Sequence, residues 1–179
     1  MKKIIKTVLR GLLLRQREEG RYILERKIFP KLKNKKVLFA GVAHYTADYP
    51  KKLKSSNLWT IDIDPSVEKY GARNHVIGDV AEANKFFPES FFDVIILSGI
   101  FGYGVNDSKA AEKVMKNCWT ILKKNGKLVI QWSDRPNHDQ VNPRKLKNFG
   151  LFIPVSFGKY NSPYRTKKNN RVFEFLVKK

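Results

Sequence analysis

The sequence predicts an α/β fold: a doubly wound sheet, mostly parallel, closed by a C-terminal antiparallel strand pair and covered by helices on both faces. Three observations carry that expectation. Strand-length apolar runs alternate with helical segments from residue 36 onward. One run, residues 92–100 (FDVIILSGI), is apolar enough to be buried on both faces, as a central parallel strand is. The last two runs are joined only by a polar loop, which turns the chain back antiparallel.

The elements follow in order. Residues 2–28 read as a helix, because Ile4, Ile5, Val8, Leu9 and Leu12 recur at helical spacing with Lys3, Lys6 and Arg10 between them. Gly20 is expected to break or kink it, and Pro30 to end it. Residues 36–41 form a buried strand ending at Gly41. A short helix follows at 49–55, with Asp48 as its N-cap and Pro50 in its first turn. Residues 58–64 (LWTIDID) and 75–79 (HVIGD) are strands, and 81–87 a brief helix. Residues 107–122 give the clearest helix, with Ala111, Val114, Met115, Cys118 and Leu122 on one face. Asn125-Gly126 supplies the turn into a strand at 127–132 (KLVIQW). A short helix at 143–148 precedes the closing strands at 152–158 and 171–178.

With 179 residues the chain suits one domain with a real core, residues 31–179, preceded by a basic amphipathic segment at 1–30. Cys118 is the sole cysteine, so no intramolecular disulfide can form, as fits a reducing, cytoplasmic setting. No secretory signal is evident, and no apolar run approaches the roughly 18–20 residues a membrane span needs. The net charge of +20 is polarised. Residues 1–36 carry 13 Lys/Arg against 3 acids, and residues 144–179 carry 10 against 1, while the middle is nearly neutral. Basic ends of this kind suit polyanions: RNA, an anionic membrane face at the inner side of the cell, or phosphorylated substrates.

In an open α/β sheet, ligands bind beyond the carboxyl ends of the strands. Those ends here are Gly41, Asp62-Ile63-Asp64, Gly78-Asp79-Val80 and Ser98-Gly99. Asp62 lies 21 residues after Gly41, the distance at which a carboxylate reaches a ribose diol. Asp62 can also be read as a turn former or helix cap before Pro65, a role Asp64 fits better. Asp62 and Asp79 together serve no obvious purpose in a dead site, which favours a working one. No metal-ligand cluster and no nucleophile motif appears.

The series VLFAGVA, TIDIDP, VIGDV, FDVIILSGI and ILKKNGKLVI, in that order over residues 36–132, resembles the class I S-adenosylmethionine-dependent methyltransferases. The resemblance implies a Rossmann-like sheet and S-adenosylmethionine as cofactor. It places the ribose-binding acid on Asp62 and the adenine-contacting acid on Asp79, with Ile63, Val80, Ser98 and Gly99 beside them. The first loop departs from the family. Phe39 stands where the family has an acid, and Ala43 and Tyr45 stand where it has glycines. Ala43 still allows close approach, whereas Tyr45 must point away or stack on the ligand. Hydrogen bonds from His44, Tyr45 or Thr46 would replace those lost. A dinucleotide needs the glycines for its pyrophosphate, and S-adenosylmethionine has no phosphate, so nicotinamide chemistry is disfavoured.

The stretch after the fourth strand lacks the Asn/Asp-Pro-Pro-aromatic motif of many amino-methylating relatives, which leaves oxygen as the expected acceptor atom. An oxygen acceptor benefits from a general base. His138 and Asp134 are the candidates, with Asp139, His44 and His75 as alternatives, His75 reading better as an ordinary surface residue. The expected function is O-methylation of a small-molecule or glycan acceptor, such as a cell-envelope intermediate. RNA methylation and a non-catalytic module that kept the fold are the alternatives.

Overall fold

The computed structural model describes residues 19–134, 141–167 and 170–179. His138, Asp139 and the apolar stripe from Ile4 to Leu12 lie outside the described residues. Eight strands form one sheet in the order β3-β2-β1-β4-β5-β8-β6, with β7 also on β8. They are β1 (Lys36–Ala40), β2 (Asn57–Asp62), β3 (Asn74–Ile77), β4 (Phe92–Ser98), β5 (Leu122–Ser133), β6 (Phe152–Pro154), β7 (Tyr164–Arg165) and β8 (Arg171–Lys178). β1 to β5 are parallel, and the order reverses between β1 and β4. β8 runs antiparallel to both β5 and β6, which closes the sheet as expected. Pro154 sits in β6, the edge strand, where a missing N–H costs no ladder bond.

Two apolar cores line the two faces. On one, α3 (Ser108–Ile121) buries Ala111, Val114, Met115, Cys118 and Ile121 against Leu38, Ile95, Leu97, Leu128 and Ile130. Asp107 caps α3, its carboxylate accepting the Ala110 N–H at 2.9 Å. On the other face, Val37, Phe39, Val94, Ile96 and Val129 meet α1 (Glu19–Ile23), the π-helical turn Leu24–Ile28 that continues it, and α2 (Tyr49–Lys52). Residues 19–30 therefore belong to this core: Ile23, Leu24, Ile28 and Phe29 are all buried.

Gly20 lies within α1, the first described segment of the chain. A Cβ there would lie 2.0 Å from Gln131 Nε2, so the glycine is what lets α1 close onto the tip of β5. Tertiary contact overrides the weak helix propensity of glycine. The helices expected at 81–87 and 143–148 are instead the 3₁₀ turns Val80–Lys85, Pro143–Lys145 and Lys147–Leu151. Asp79 and Asn142 open two of these turns with side-chain bonds to the backbone two residues on, a local pattern that competes with a regular helix. Asn125 takes φ +61° as expected of a turn. That turn lies within β5 as a bulge: Phe92 pairs with Leu122, but Val94 already pairs with Lys127.

Candidate active site

The carboxyl ends of β1, β2, β4 and the loop after β3 converge beside the point where the strand order reverses. Gly41 ends β1 at φ +85°, and a side chain there would press on Ile100 at 3.3 Å. The Val42 N–H donates to Asp62 Oδ2 at 2.8 Å, and the Asp64 N–H donates to Asp62 Oδ1 at 3.0 Å. Asp64 caps the next turn, as expected, by accepting the Ser66 N–H. Asp79 caps the turn after β3, accepting the Ala81 N–H at 2.8 Å. Both aspartates thus have a structural task. Neither is used up by it: a carboxylate offers about four lone-pair sites, and these bonds occupy two on Asp62 and one on Asp79.

Gly41, Asp62, Ile63, Asp79, Val80 and Tyr103 line one pocket of about 120 Å³. Ser98, Gly99 and Tyr45 line a neighbouring pocket of about 330 Å³, completed by Arg21, Gln131 and Arg171 among others. Tyr103 borders both. Ser98 Oγ donates to Gln131 Oε1 at 2.6 Å, and the Gly99 N–H donates to the Gln131 carbonyl, tying the tips of β4 and β5 together. Ile63, Tyr103 and Tyr45 are 68%, 57% and 54% exposed around these pockets. Large apolar groups gathered at a concave polar site suit an aromatic, hydroxyl-bearing ligand that would cover them.

The first loop holds itself. Ala43 N–H donates to Thr46 Oγ1 at 3.0 Å, and that hydroxyl donates back to the Ala43 carbonyl at 2.9 Å. Thr46 is buried and committed to these bonds, so it is not a replacement ligand donor. Phe39 is core, edge-on to Tyr49 at 5.2 Å between ring centres. Tyr45 turns away from the Asp62–Asp79 pocket and lies beneath Arg21, whose Cζ is 5.1 Å from the ring centre. His44 is exposed, edge-on to Tyr45, and lines an outer pocket with Arg26 and Asp48.

Asp134 is brought to neither pocket; its carboxylate pairs with Arg165 on β7. His75 lies on β3, its Nδ1 sharing a hydrogen bond with Thr60 Oγ1 at 2.8 Å. Burial pushes the Cys118 thiol up to about 12, which leaves it un-ionised. Among the described residues no group of three His, Cys, Asp or Glu could hold a metal ion. Arg21, Tyr103, Gln131 and Arg171 are site residues that sequence reasoning missed. They arrive from α1, the loop after β4, and the tips of β5 and β8.

A doubly wound sheet with two acids at adjacent strand tips defines a nucleoside-binding α/β domain. The comparisons make this specific. A family model described as "Methyltransferase domain" matches residues 39–130, just over half of the chain. The chain therefore belongs to the class I S-adenosylmethionine-dependent methyltransferases. Myricetin 3'/5'-O-methyltransferase 1 of Solanum habrochaites is 25% identical over 138 residues. That match covers 77% of this chain and 35% of the relative, so the chain spans about a third of the curated protein's length. The N-methyltransferase NodS of Bradyrhizobium japonicum, in complex with S-adenosyl-L-homocysteine, superposes with TM-score 0.65 at 13% identity over 90% of this chain and 87% of that one. A TehB-like methyltransferase of Corynebacterium glutamicum gives 0.63 at 18% identity, covering 95% and 97%. The two structures are likenesses of fold.

Proposed function

We propose that this chain transfers a methyl group from S-adenosylmethionine to an oxygen of a small polar acceptor. The observation that carries the reading is the pairing of the two pockets across Tyr103. One holds Asp62 and Asp79 for an adenosine, and the other offers room for an acceptor. Asp62 would take the ribose hydroxyls on its remaining lone pairs, Asp79 the adenine amino group, and Ile63 and Val80 the faces of the ring. Bound there, the cofactor supplies a methyl group on a positively charged sulfur, and its transfer releases the acceptor's proton. Much of such a displacement is positioning, which Ser98, Gln131 and the two tyrosines would provide.

Oxygen is favoured because no amino-methylation motif follows β4 and because the curated relative is named as an O-methyltransferase. A glycan or other cell-envelope intermediate fits the polar lining, with its two arginines and its glutamine. Asp134 is paired with Arg165, and His138 is the proposed base. The strongly basic first 18 residues are assigned to an anionic membrane face before RNA. Vesicle sedimentation that survives their deletion would refute that part. The central test is calorimetric titration with S-adenosylmethionine and S-adenosylhomocysteine, with NADH as the control. Micromolar binding of the first two is expected, and silence from both at millimolar concentration overturns the reading.

A further inference from the structure

At the opposite end of the strands, beside the amino ends of β1 and β4 and the bulge of β5, lies a separate pocket of about 390 Å³. Lys31, Lys35, Lys123, Lys124 and Lys127 line it, with Asp93 as the one acid. Asp93 does not neutralise the cluster. Lys123 donates to it at 2.8 Å and the Lys36 backbone N–H at 2.7 Å. Burial raises the Asp93 carboxyl, but these two bonds, together with the charges of Lys123 and Lys35, outweigh that and hold it below the usual range. Among the described residues Lys123 is the only one of the five with a carboxylate partner.

The lysines are also placed. Lys31 and Lys127 approach the same ring, Phe157, with each Nζ 5.4 Å from its centre. Lys31 Nζ lies 2.5 Å from where Gly158 would carry a Cβ, so the glycine makes its room. Lys123 and Lys124 are carried in by the bulge that interrupts β5. Like charges gathered in one concavity repel each other, and a multivalent anion relieves that repulsion. Lysine ammonium groups bind phosphate as point charges, without the planar fork that carboxylates favour.

We infer that this pocket is a second binding site, distinct from the strand-tip pockets, for a small ligand bearing adjacent phosphate groups. The chemistry is shared by a free polyphosphate and by a phosphorylated lipid headgroup. The test uses the full chain and inorganic tripolyphosphate, titrated by calorimetry at low salt. Binding should weaken at least tenfold in Lys31→Glu/Lys127→Glu. It should stay within about twofold of the parent in Lys51→Glu/Lys109→Glu, which removes the same charge elsewhere on the exposed surface. Unchanged thermal unfolding confirms that both variants fold. Vesicles containing a bisphosphorylated inositol lipid, sedimented with the parent and with Lys31→Glu/Lys127→Glu, decide whether the phosphate can also come from a lipid; a loss confined to that double variant would support the site equally. No tripolyphosphate binding, equal loss in both double variants, or binding of an RNA oligomer while tripolyphosphate is inert would overturn the inference.

Discussion

The Val42 N–H donates to Asp62 Oδ2 across 20 residues of sequence, at 2.8 Å. This bond fastens the first loop to the tip of β2. It also explains how a loop without the usual glycines keeps its path: one amide is held by Asp62 and the next by Thr46. The carboxylate is thus both a strut and the proposed ribose ligand. Asp62→Ala should lose both functions. A hydrogen bond to a charged group contributes about 1.5–3 kcal/mol, so S-adenosylhomocysteine affinity should fall at least ~10-fold by calorimetry. Asp79→Ala removes a cap of about 1 kcal/mol and should lower the melting temperature by roughly 2–4 °C. Parent-like affinity in Asp62→Ala would remove it from the ligand site.

Gly20 and Gln131 can be separated by a double-mutant cycle. Gly20→Ala gains up to about 1 kcal/mol of helix propensity. It also drives a Cβ against Gln131 Nε2, and Gln131 cannot withdraw without losing Ser98 Oγ. The lost hydrogen bond is of the same order, about 1 kcal/mol, so the single variant should melt within a few degrees of the parent. In a Gln131→Ala background the clash is gone, and Gly20→Ala should then stabilise. Additive effects, read by chemical denaturation, would show that the two residues do not compete for the same space.

The parts of the fold that were legible from sequence are those whose signals are local. β1, β2 and β4 announce themselves as buried runs, and α3 by its apolar stripe and Asp107. Asp62 was legible from its spacing after Gly41, which follows from strand and crossover length, and Asp79 through the resemblance. Arg171 was not, since it opens a strand that runs antiparallel into place between β5 and β6, and no local pattern reports which pocket that start will face. Arg21 was hidden for a related reason. Gly20 beside it looked like a helix breaker until the packing against Gln131 showed why a glycine is there.

Glu174 makes stability depend on pH. It is 0% exposed in the middle of β8, where burial raises its carboxyl, against the opposing pull of the Ser162 hydroxyl bond at 2.8 Å and of Arg144 at 3.7 Å. The folded state therefore holds the proton to higher pH than the unfolded chain, whose glutamate titrates near ~4.3. Between those two points the native state binds more protons, so stability falls as pH rises. Urea titrations should show that decline in the parent above about pH 4.3 and a shallower one in Glu174→Gln. Identical slopes would mean that Glu174 titrates alike in both states.

Cys118 should report global opening. It is 0% exposed on α3, and burial pushes its thiol up to about 12. A disulfide reagent at pH 8 should therefore label the native protein no faster than it unfolds, and label it promptly in denaturant. Fast labelling without denaturant would mean that α3 detaches locally from the sheet.

The sharpest test of the unusual first loop is Tyr45→Gly, which restores the residue that the resemblance expects at that position. Were the ring an obstacle in the nucleoside pocket, the change would tighten cofactor binding. The structure argues otherwise. Tyr45 borders the pocket of Ser98, Gln131 and Arg171, is absent from the lining of the Asp62–Asp79 pocket, and carries Arg21 over its face. Removing it costs an exposed cation–π contact of about 0.5–1 kcal/mol and frees a loop that Thr46 otherwise braces. Affinity for S-adenosylhomocysteine should therefore change less than about threefold, while methyl transfer to an accepted substrate should fall about tenfold through a raised KM. Such a split between cofactor affinity and KM places Tyr45 on the acceptor side. A tenfold gain in cofactor affinity would place it in the nucleoside's way.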